Sequence, residues 1–320
     1  MGLIKPSKTI KPYLTANFSQ SFNQGLLLEK NDLTDIITSS SEYLILLNRE
    51  NYSINTNNIC TAKYIKGVLS GSKGYSQYYP SINLLQPLKI AGTWIIENCY
   101  ISGNAIQLQS GAKLILRDCY LYFSSNTNFN CIDAVNGDLV LENTKIKIEP
   151  IGGAVIRVLF GGNVELYNSA IDRFGFGVST GNLTSENSYL GIWEWVSSLS
   201  GYNFNLENSY LGGFNHSGYV NVNAKKTIIF KTFAYTGERG IIGKFLNCYF
   251  NSLIISNSST TNIKIYNSIF EKVENDTWSG VITINGGNPT IIVYNSILEN
   301  QVSNQYILHC HNSNAVAKFV

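Results

Sequence analysis

One short phrase, written ten times, limits what this chain can fold into: an aliphatic residue, a spacer, Asn, a small residue, a spacer and a second aliphatic residue. It reads Ile96-Glu97-Asn98-Cys99-Tyr100-Ile101, then Leu116-Arg117-Asp118-Cys119-Tyr120-Leu121, Leu141-Glu142-Asn143-Thr144-Lys145-Ile146 and Leu166-Tyr167-Asn168-Ser169-Ala170-Ile171. It recurs around Asn187, Asn208, Asn247, Asn267 and Asn295, with a degenerate copy centred on Lys231. A unit this short cannot bury its own apolar side chains, so copies must stack on one another as a solenoid.

Spacing and composition between the anchors select the kind of solenoid. Successive anchors lie 16 to 28 residues apart, a period that suits either a leucine-rich repeat or a coil of three short strands. The intervening segments, such as Lys113 to Leu116, Val155 to Phe160, Ile228 to Phe230 and Ile291 to Tyr294, are β-branched or aromatic and are bounded by Gly, Asn and Ser. That is strand chemistry. No amphipathic helix fits between them, which predicts an all-β parallel β-helix of about ten or more coils.

The positions of the phrase assign themselves. Two residues before the anchor and three after it are aliphatic or aromatic and point inward; the residue just after the anchor is small (Cys99, Cys119, Thr144, Ser169, Ser188, Ser209, Thr232, Cys248, Ser268, Ser296) and faces the same narrow lumen. Strand alternation alone does not put all three on one side, whereas a corner at the anchor does. Asn tolerates the left-handed backbone conformation, and stacked amides can hydrogen-bond from coil to coil. The expectation is an internal ladder of Asn98, Asp118, Asn143, Asn168, Asn187, Asn208, Asn247, Asn267 and Asn295.

This repeat resembles the right-handed parallel β-helix of the pectate-lyase-like superfamily, whose coils carry an Asn ladder at such a corner. The N-terminal region is similar too: Asn31-Asp32-Leu33-Thr34-Asp35-Ile36-Ile37 reads as a capped short helix, followed by the strand Glu42-Tyr43-Leu44-Ile45-Leu46-Leu47 and then Asn51-Tyr52-Ser53-Ile54. The resemblance covers residues 30 to 300 and concerns the fold. It divides the chain into an extended arm (1–30), a cap of a short helix and first strands (31–60), the β-helix (61–300) and a C-terminal cap (301–320).

Enzymes of that superfamily carry catalytic carboxylates on the outside of adjacent coils. Their signatures are missing here: there is no paired Asp-Asp after a Gly, no Trp-Ile-Asp-His and no Arg-x-Pro-x-x-Arg. The position before the anchor holds Glu97, Arg117 and Glu142 on successive coils, which reads as a surface charge ladder. Glu186 and Glu207 occupy the same outward position of two consecutive coils, near the ~5 Å separation that a retaining glycosidase needs, so they are the catalytic candidates. Tyr189, Trp193, Glu194, Trp195 and Tyr210 lie beside them as candidates for holding a glycan, because aromatic faces beside polar groups suit sugars. The plainer reading of all seven is exposed surface, since any repeat stacks like residues.

Two positions after the anchor, Tyr100, Tyr120, Tyr189, Tyr210, Phe233 and Tyr249 form an outward stripe continued by Ile269 and Ile297. A stripe of this kind marks a surface that something covers. Tyr100, Tyr120, Phe233 and Tyr249 are the interface candidates, facing either further copies of the chain, most simply as a trimer, or the chain's own loops, such as Gly71 to Ser81.

Residues 1–30 combine Pro6, Pro12, Lys5, Lys8 and Lys11 with Ser, Asn and Gln and lack the apolar core of a signal peptide. They read as a tail or as an arm that docks onto other proteins, in a chain made in a cytoplasm. A net charge of +2 with 14% charged residues argues against nucleic acid as a partner, and no run of about 20 apolar residues points to a membrane. Cys99, Cys119 and Cys248 fill the small inward slot and read as buried free thiols rather than a bridge; Cys60, Cys131 and Cys310 show no spacing pattern. His309-Cys310-His311 is not taken as a metal site, because adjacent strand residues face opposite ways. No cofactor is expected.

An Asn- and Tyr-rich β-helix with few charges and no catalytic signature resembles the spike and fibre proteins of viruses, tailspikes and head fibres in particular. The expected function is a virion surface or structural protein, oligomeric, bound to other virion proteins through its arm and to host glycan along its shaft. The alternative is a glycoside hydrolase or lyase using Glu186 and Glu207.

Overall fold

The computed structural model describes residues 26–27, 32–39, 43–46, 50–68, 79–123, 130–148, 155–159, 162–176, 181–192, 196–212, 214–235, 240–258, 261–272, 280–300, 306–311 and 316–320. Within them the chain is a parallel β-helix with one short helix at its N-terminal end. All the strand pairs are parallel, each strand bonding to the equivalent strands one coil before and one coil after, as Leu114 does with Trp94 and Leu139.

Three sheets wrap a single lumen. The first contains the strands that end at the anchors, among them Thr93–Glu97, Lys113–Arg117, Asp138–Glu142 and Thr290–Tyr294. The second begins just after the anchors, with Tyr100–Gly103, Tyr120–Phe123 and Lys145–Ile148. The third carries Leu88–Ile90, Ile106–Leu108, Asn130–Val135 and Gly280–Gly287. In mid-chain the turn between the third and first sheets disappears, and Val196–Glu207 and Phe214–Lys225 each run through both without a break. Columns of equivalent side chains fill the lumen: Trp94, Leu114, Leu139, Val164 and Leu183 in one, and Ile96, Leu116, Leu141 and Leu166 in the next, all buried. Identical slots in register let each coil pack on the next with the same geometry.

The predicted helix forms over Thr34–Thr38. Asp32 Oδ1 accepts from the Thr34 amide at 2.9 Å and from the Thr34 hydroxyl at 2.6 Å; the hydroxyl bond, then the amide bond, hold this carboxyl below its ordinary value. Leu33 and Ile37 are fully buried and close the N-terminal end of the core. Lys63 occupies an inward slot in register with Trp94, and its ammonium donates to the Ser39 carbonyl at the end of the helix, at 2.7 Å.

The corners are as expected in backbone and different in side chain. All nine anchors predicted for the ladder have φ between 44° and 55°, the left-handed region that Asn and Asp enter most readily of the non-glycine residues. Their side chains, however, point away from the lumen: Asn98 is half-buried and the others are exposed. The one anchor-to-anchor amide bond among the described residues, Asn295 Nδ2 to Asn267 Oδ1 at 2.9 Å, is also exposed. The internal Asn ladder is therefore corrected to an outer row of corner residues.

The inner ladder is made by the small residue that follows. At each corner the anchor N–H reaches the next coil, as Asn143 does to the Tyr167 carbonyl at 2.9 Å, while the N–H two places on reaches the previous coil, as Lys145 does to the Cys119 carbonyl at 3.0 Å. The N–H between them has no carbonyl in line, and a hydroxyl of the next coil takes it: Cys119 to Thr144 Oγ1 (3.3 Å), Thr144 to Ser169 Oγ (3.0 Å), Ser169 to Ser188 Oγ (3.0 Å), Ser188 to Ser209 Oγ (3.4 Å), Cys248 to Ser268 Oγ (3.1 Å) and Ser268 to Ser296 Oγ (3.0 Å). Each of those hydroxyls donates to the carbonyl two residues behind it, as Ser169 Oγ does to Tyr167 at 2.9 Å. The slot is thus small for space and polar for satisfaction of a buried amide.

The degenerate corner sits at Lys226, φ 50°, and not at Lys231. Thr227 fills the small slot, Ile228 points outward and Ile229 inward, while Thr232 and Phe233 pair with Ser252 and Leu253 in the third sheet. Ala224 in the inward slot before this corner weakens the aliphatic signal there, which made the register five residues later look better. Phe233 consequently leaves the outward stripe, and Ile228 takes its place. Leu26–Leu27, which pairs with Leu44 and Ile45, is the described part of the predicted arm; the rest of residues 1–30 and the segment 69–78 lie outside the described residues.

Candidate functional site

The outward row just before the corners begins with a charge ladder. Arg117 sits between Glu97 and Glu142, with Nη1 to Glu97 Oε1 at 3.1 Å and Nε to Glu142 Oε2 at 2.8 Å. Tyr64 donates to Glu97 Oε2 at 2.6 Å. Burial first, and this carboxylate second, push the Tyr64 phenol far above the ordinary tyrosine value.

Glu186 and Glu207 follow in the same row and are register partners on adjacent strands, as the spacing implies. Both lie on the outer surface of the first sheet. Glu207 is engaged by Lys225 of the next coil at 2.8 Å, so two like charges are followed by one of opposite sign.

Across the corner, on the second sheet, Tyr189 and Tyr210 are register partners with rings stacked at 4.9 Å and 17°, and Tyr189 is 41% exposed. Trp193, Glu194 and Trp195 lie outside the described residues. Tyr100 and Tyr120 form a similar stack at 5.5 Å and 8°, with the Lys145 ammonium 5.9 Å from the Tyr120 ring centre. Lys145 and Ala170 interrupt the stripe there. It resumes as six consecutive residues, Tyr189, Tyr210, Ile228, Tyr249, Ile269 and Ile297, paired coil to coil. Tyr249 donates to Glu271 Oε2 at 3.0 Å.

Sequence reasoning missed two features of the first sheet's outer face. Four side-chain amide bonds link five coils: Asn163 to Asp138 (2.8 Å), Asn182 to Asn163 (2.8 Å), Asn203 to Asn182 (2.9 Å) and Asn221 to Asn203 (2.9 Å). This is an asparagine ladder on the outside, five residues before each corner. Where it ends, Asn203, Asn205, Asn221, Asn223, Lys244 and Lys264 line a shallow groove of about 280 Å³. The signal was in the sequence, in Asn163, Asn182 and Asn203, each five residues before its anchor; Asn221 joins them with the corner at Lys226.

No known protein family, curated protein or solved structure matches this chain. The site must therefore be read from its own geometry.

None of the six cysteines forms a disulfide; Cys99 and Cys119 are buried, and burial pushes the Cys119 thiol up to about 12. His309 and His311 have ring centres 6.4 Å apart, and among the described residues no group of three or more His, Cys, Asp or Glu side chains comes together. No described helix is long and apolar enough to cross a membrane.

Proposed function

We propose that this chain is the shaft of a virion surface protein, a fibre or spike of the pectate-lyase-like kind, that binds glycan on its outer face. The observation that carries the binding part is the Tyr189–Tyr210 stack, with Tyr189 exposed and Tyr210 half-buried, an apolar platform whose neighbours across the Asn187, Asn208 and Lys226 corners, Glu186, Glu207 and Lys225, offer hydrogen-bonding groups. Sugars present apolar C–H faces and hydroxyl rims, which such a platform and rim complement. The shaft part is supported by the repetition: rungs that satisfy their own backbone groups make a rod that resists local opening.

The outward apolar run from Ile228 to Ile297 is where further copies of the chain pack in this reading; Ile228, Ile269 and Ile297 are 44%, 42% and 53% exposed. Sedimentation of the full chain and of an Ile269→Asp variant tests this, a monomer in both cases removing the oligomer. Titration with a panel of host-surface oligosaccharides tests glycan binding, with Tyr210→Ala expected to weaken it about tenfold; unchanged affinity refutes the platform. The register pairing of Glu186 with Glu207 supports the alternative, a polysaccharide-cleaving enzyme, and product release abolished by Glu207→Gln would establish it.

A further inference from the structure

We infer that the groove on the first sheet is a second binding site, separate from the tyrosine platform, and that it takes a negatively charged saccharide. Its charge is the first reason. Lys244 and Lys264 are register partners on adjacent strands, both exposed, and neither forms an ion pair among the described residues. Like charges directly opposite each other on a sheet face are unfavourable. Other cations of this face are neutralised from coil to coil: Arg117 lies between two glutamates, and Lys225, one coil before Lys244, is held by Glu207 at 2.8 Å. The like-charged Glu186–Glu207 pair has Lys225 beside it, whereas the stacked lysine pair has no such counter-charge among the described residues and lines the groove.

The amides are the second reason. Asn205, Asn223 and Asn262 are exposed in the groove, beside Asn203 and Asn221, which the amide ladder fixes in orientation at 2.9 Å. A carboxamide both donates and accepts, which is what the hydroxyls of a sugar need. Ile242, 48% exposed, supplies an apolar patch at the wall. A single-stranded nucleic acid would need exposed aromatic faces for its bases, and the only aromatic side chain in the lining is Phe204, which is 3% exposed. The groove spans four coils, so with rungs about 4.8 Å apart it accommodates roughly two to three sugar rings, their acidic groups over the lysine pair and their hydroxyls over the asparagines.

The test is calorimetric titration of the full chain at low salt with α2,8-linked trisialic acid, heparin tetrasaccharide and neutral chitotetraose, repeated with inorganic sulfate. At least one charged oligosaccharide is expected to bind more tightly than chitotetraose and to weaken as salt is added. The double variant Lys244→Gln, Lys264→Gln, at two exposed positions, is expected to bind it about fivefold more weakly or worse, and Asn205→Ala with Asn223→Ala to weaken it while leaving sulfate unaffected. Charged sugars binding no better than chitotetraose, or a lysine variant indistinguishable from the parent, overturn the site. Sulfate binding as tightly as the charged sugars overturns the saccharide assignment. Because Tyr189 and Tyr210 lie on the other side of the corner, loss of this site with retained tyrosine-dependent binding leaves the platform standing, and the reverse outcome separates the two equally well.

Discussion

Removing one hydroxyl from the inner ladder tests the account of the corners most directly. Ser169 is 4% exposed; its Oγ accepts from the Thr144 N–H at 3.0 Å and donates to the Tyr167 carbonyl at 2.9 Å. In Ser169→Ala the Tyr167 carbonyl keeps a partner, because the Asn143 N–H also donates to it at 2.9 Å. The Thr144 N–H loses its acceptor in a place that a methyl group cannot serve. Leaving a buried donor unsatisfied costs about 1–3 kcal/mol, a shift of roughly 0.3–1 M in the midpoint of urea unfolding for a chain of this size. Ser169→Thr, a residue that fills the same slot at Thr144 and Thr227, keeps the acceptor and should restore most of the loss. The assay is equilibrium unfolding by circular dichroism with both variants side by side. If Ser169→Ala matches the parent, or if Ser169→Thr is as damaging as alanine, the slot is small for packing alone and the ladder contributes nothing.

Three further outcomes follow from the same geometry. At the corner, Asn208 with φ 48° should lose about 1 kcal/mol on replacement by alanine and very little on replacement by glycine, read by thermal unfolding, since left-handed backbone penalises a Cβ that has no local amide to offset it. In base, the folded state holds the Cys119 thiol at about 12 against an ordinary 9.0 and keeps the Tyr64 phenol protonated well past its ordinary 10.0. These raised values contribute stability that is complete below pH 9 and is lost as pH climbs through the folded values, so unfolding midpoints should fall progressively above pH 9 and Cys119→Ser should flatten the onset. Finally, a thiol reagent such as Ellman's should react with Cys310, the one exposed cysteine, and with Cys60, Cys99, Cys119, Cys131 and Cys248 only after denaturation; rapid labelling of a second thiol in the native protein would contradict the burial of the columns.

What could be read from the sequence was whatever repeats within one coil. The inward slots, the left-handed corner and the small residue behind it recur at fixed offsets, so Leu116, Asn143 and Ser169 could be assigned before any coordinates. What could not be read was the relation between coils. Which atom of Ser169 meets which atom of Thr144 depends on the rise and on the position of the turn, and the same phrase is compatible with amides inside or outside. The coil carrying Ala224 and Lys226 shows the limit from another side: with a weak inward residue and a lysine at the corner, the phrase fits better five residues later at Lys231, a register that puts Phe233 on the second sheet where the structure has it on the third. On the candidate sites, Glu186 with Glu207 and Tyr189 with Tyr210 do come together as the spacing implies. The groove at Lys244 and Lys264 carries no such signal, because its side chains lie three and five places ahead of the anchor, outside the repeated phrase.

The hydroxyl ladder has a direction. In every link among the described residues the amide of one coil is served by the side chain of the coil that follows it in the chain, from Cys119 and Thr144 through to Ser268 and Ser296. Peeling coils away from the C-terminal side therefore strips a hydroxyl acceptor from the ladder amide of the coil left behind, while peeling from the N-terminal side leaves every remaining ladder amide its hydroxyl. Fraying should accordingly be easier to start from one end than from the other, giving a rod built of near-identical units an asymmetric resistance to unravelling.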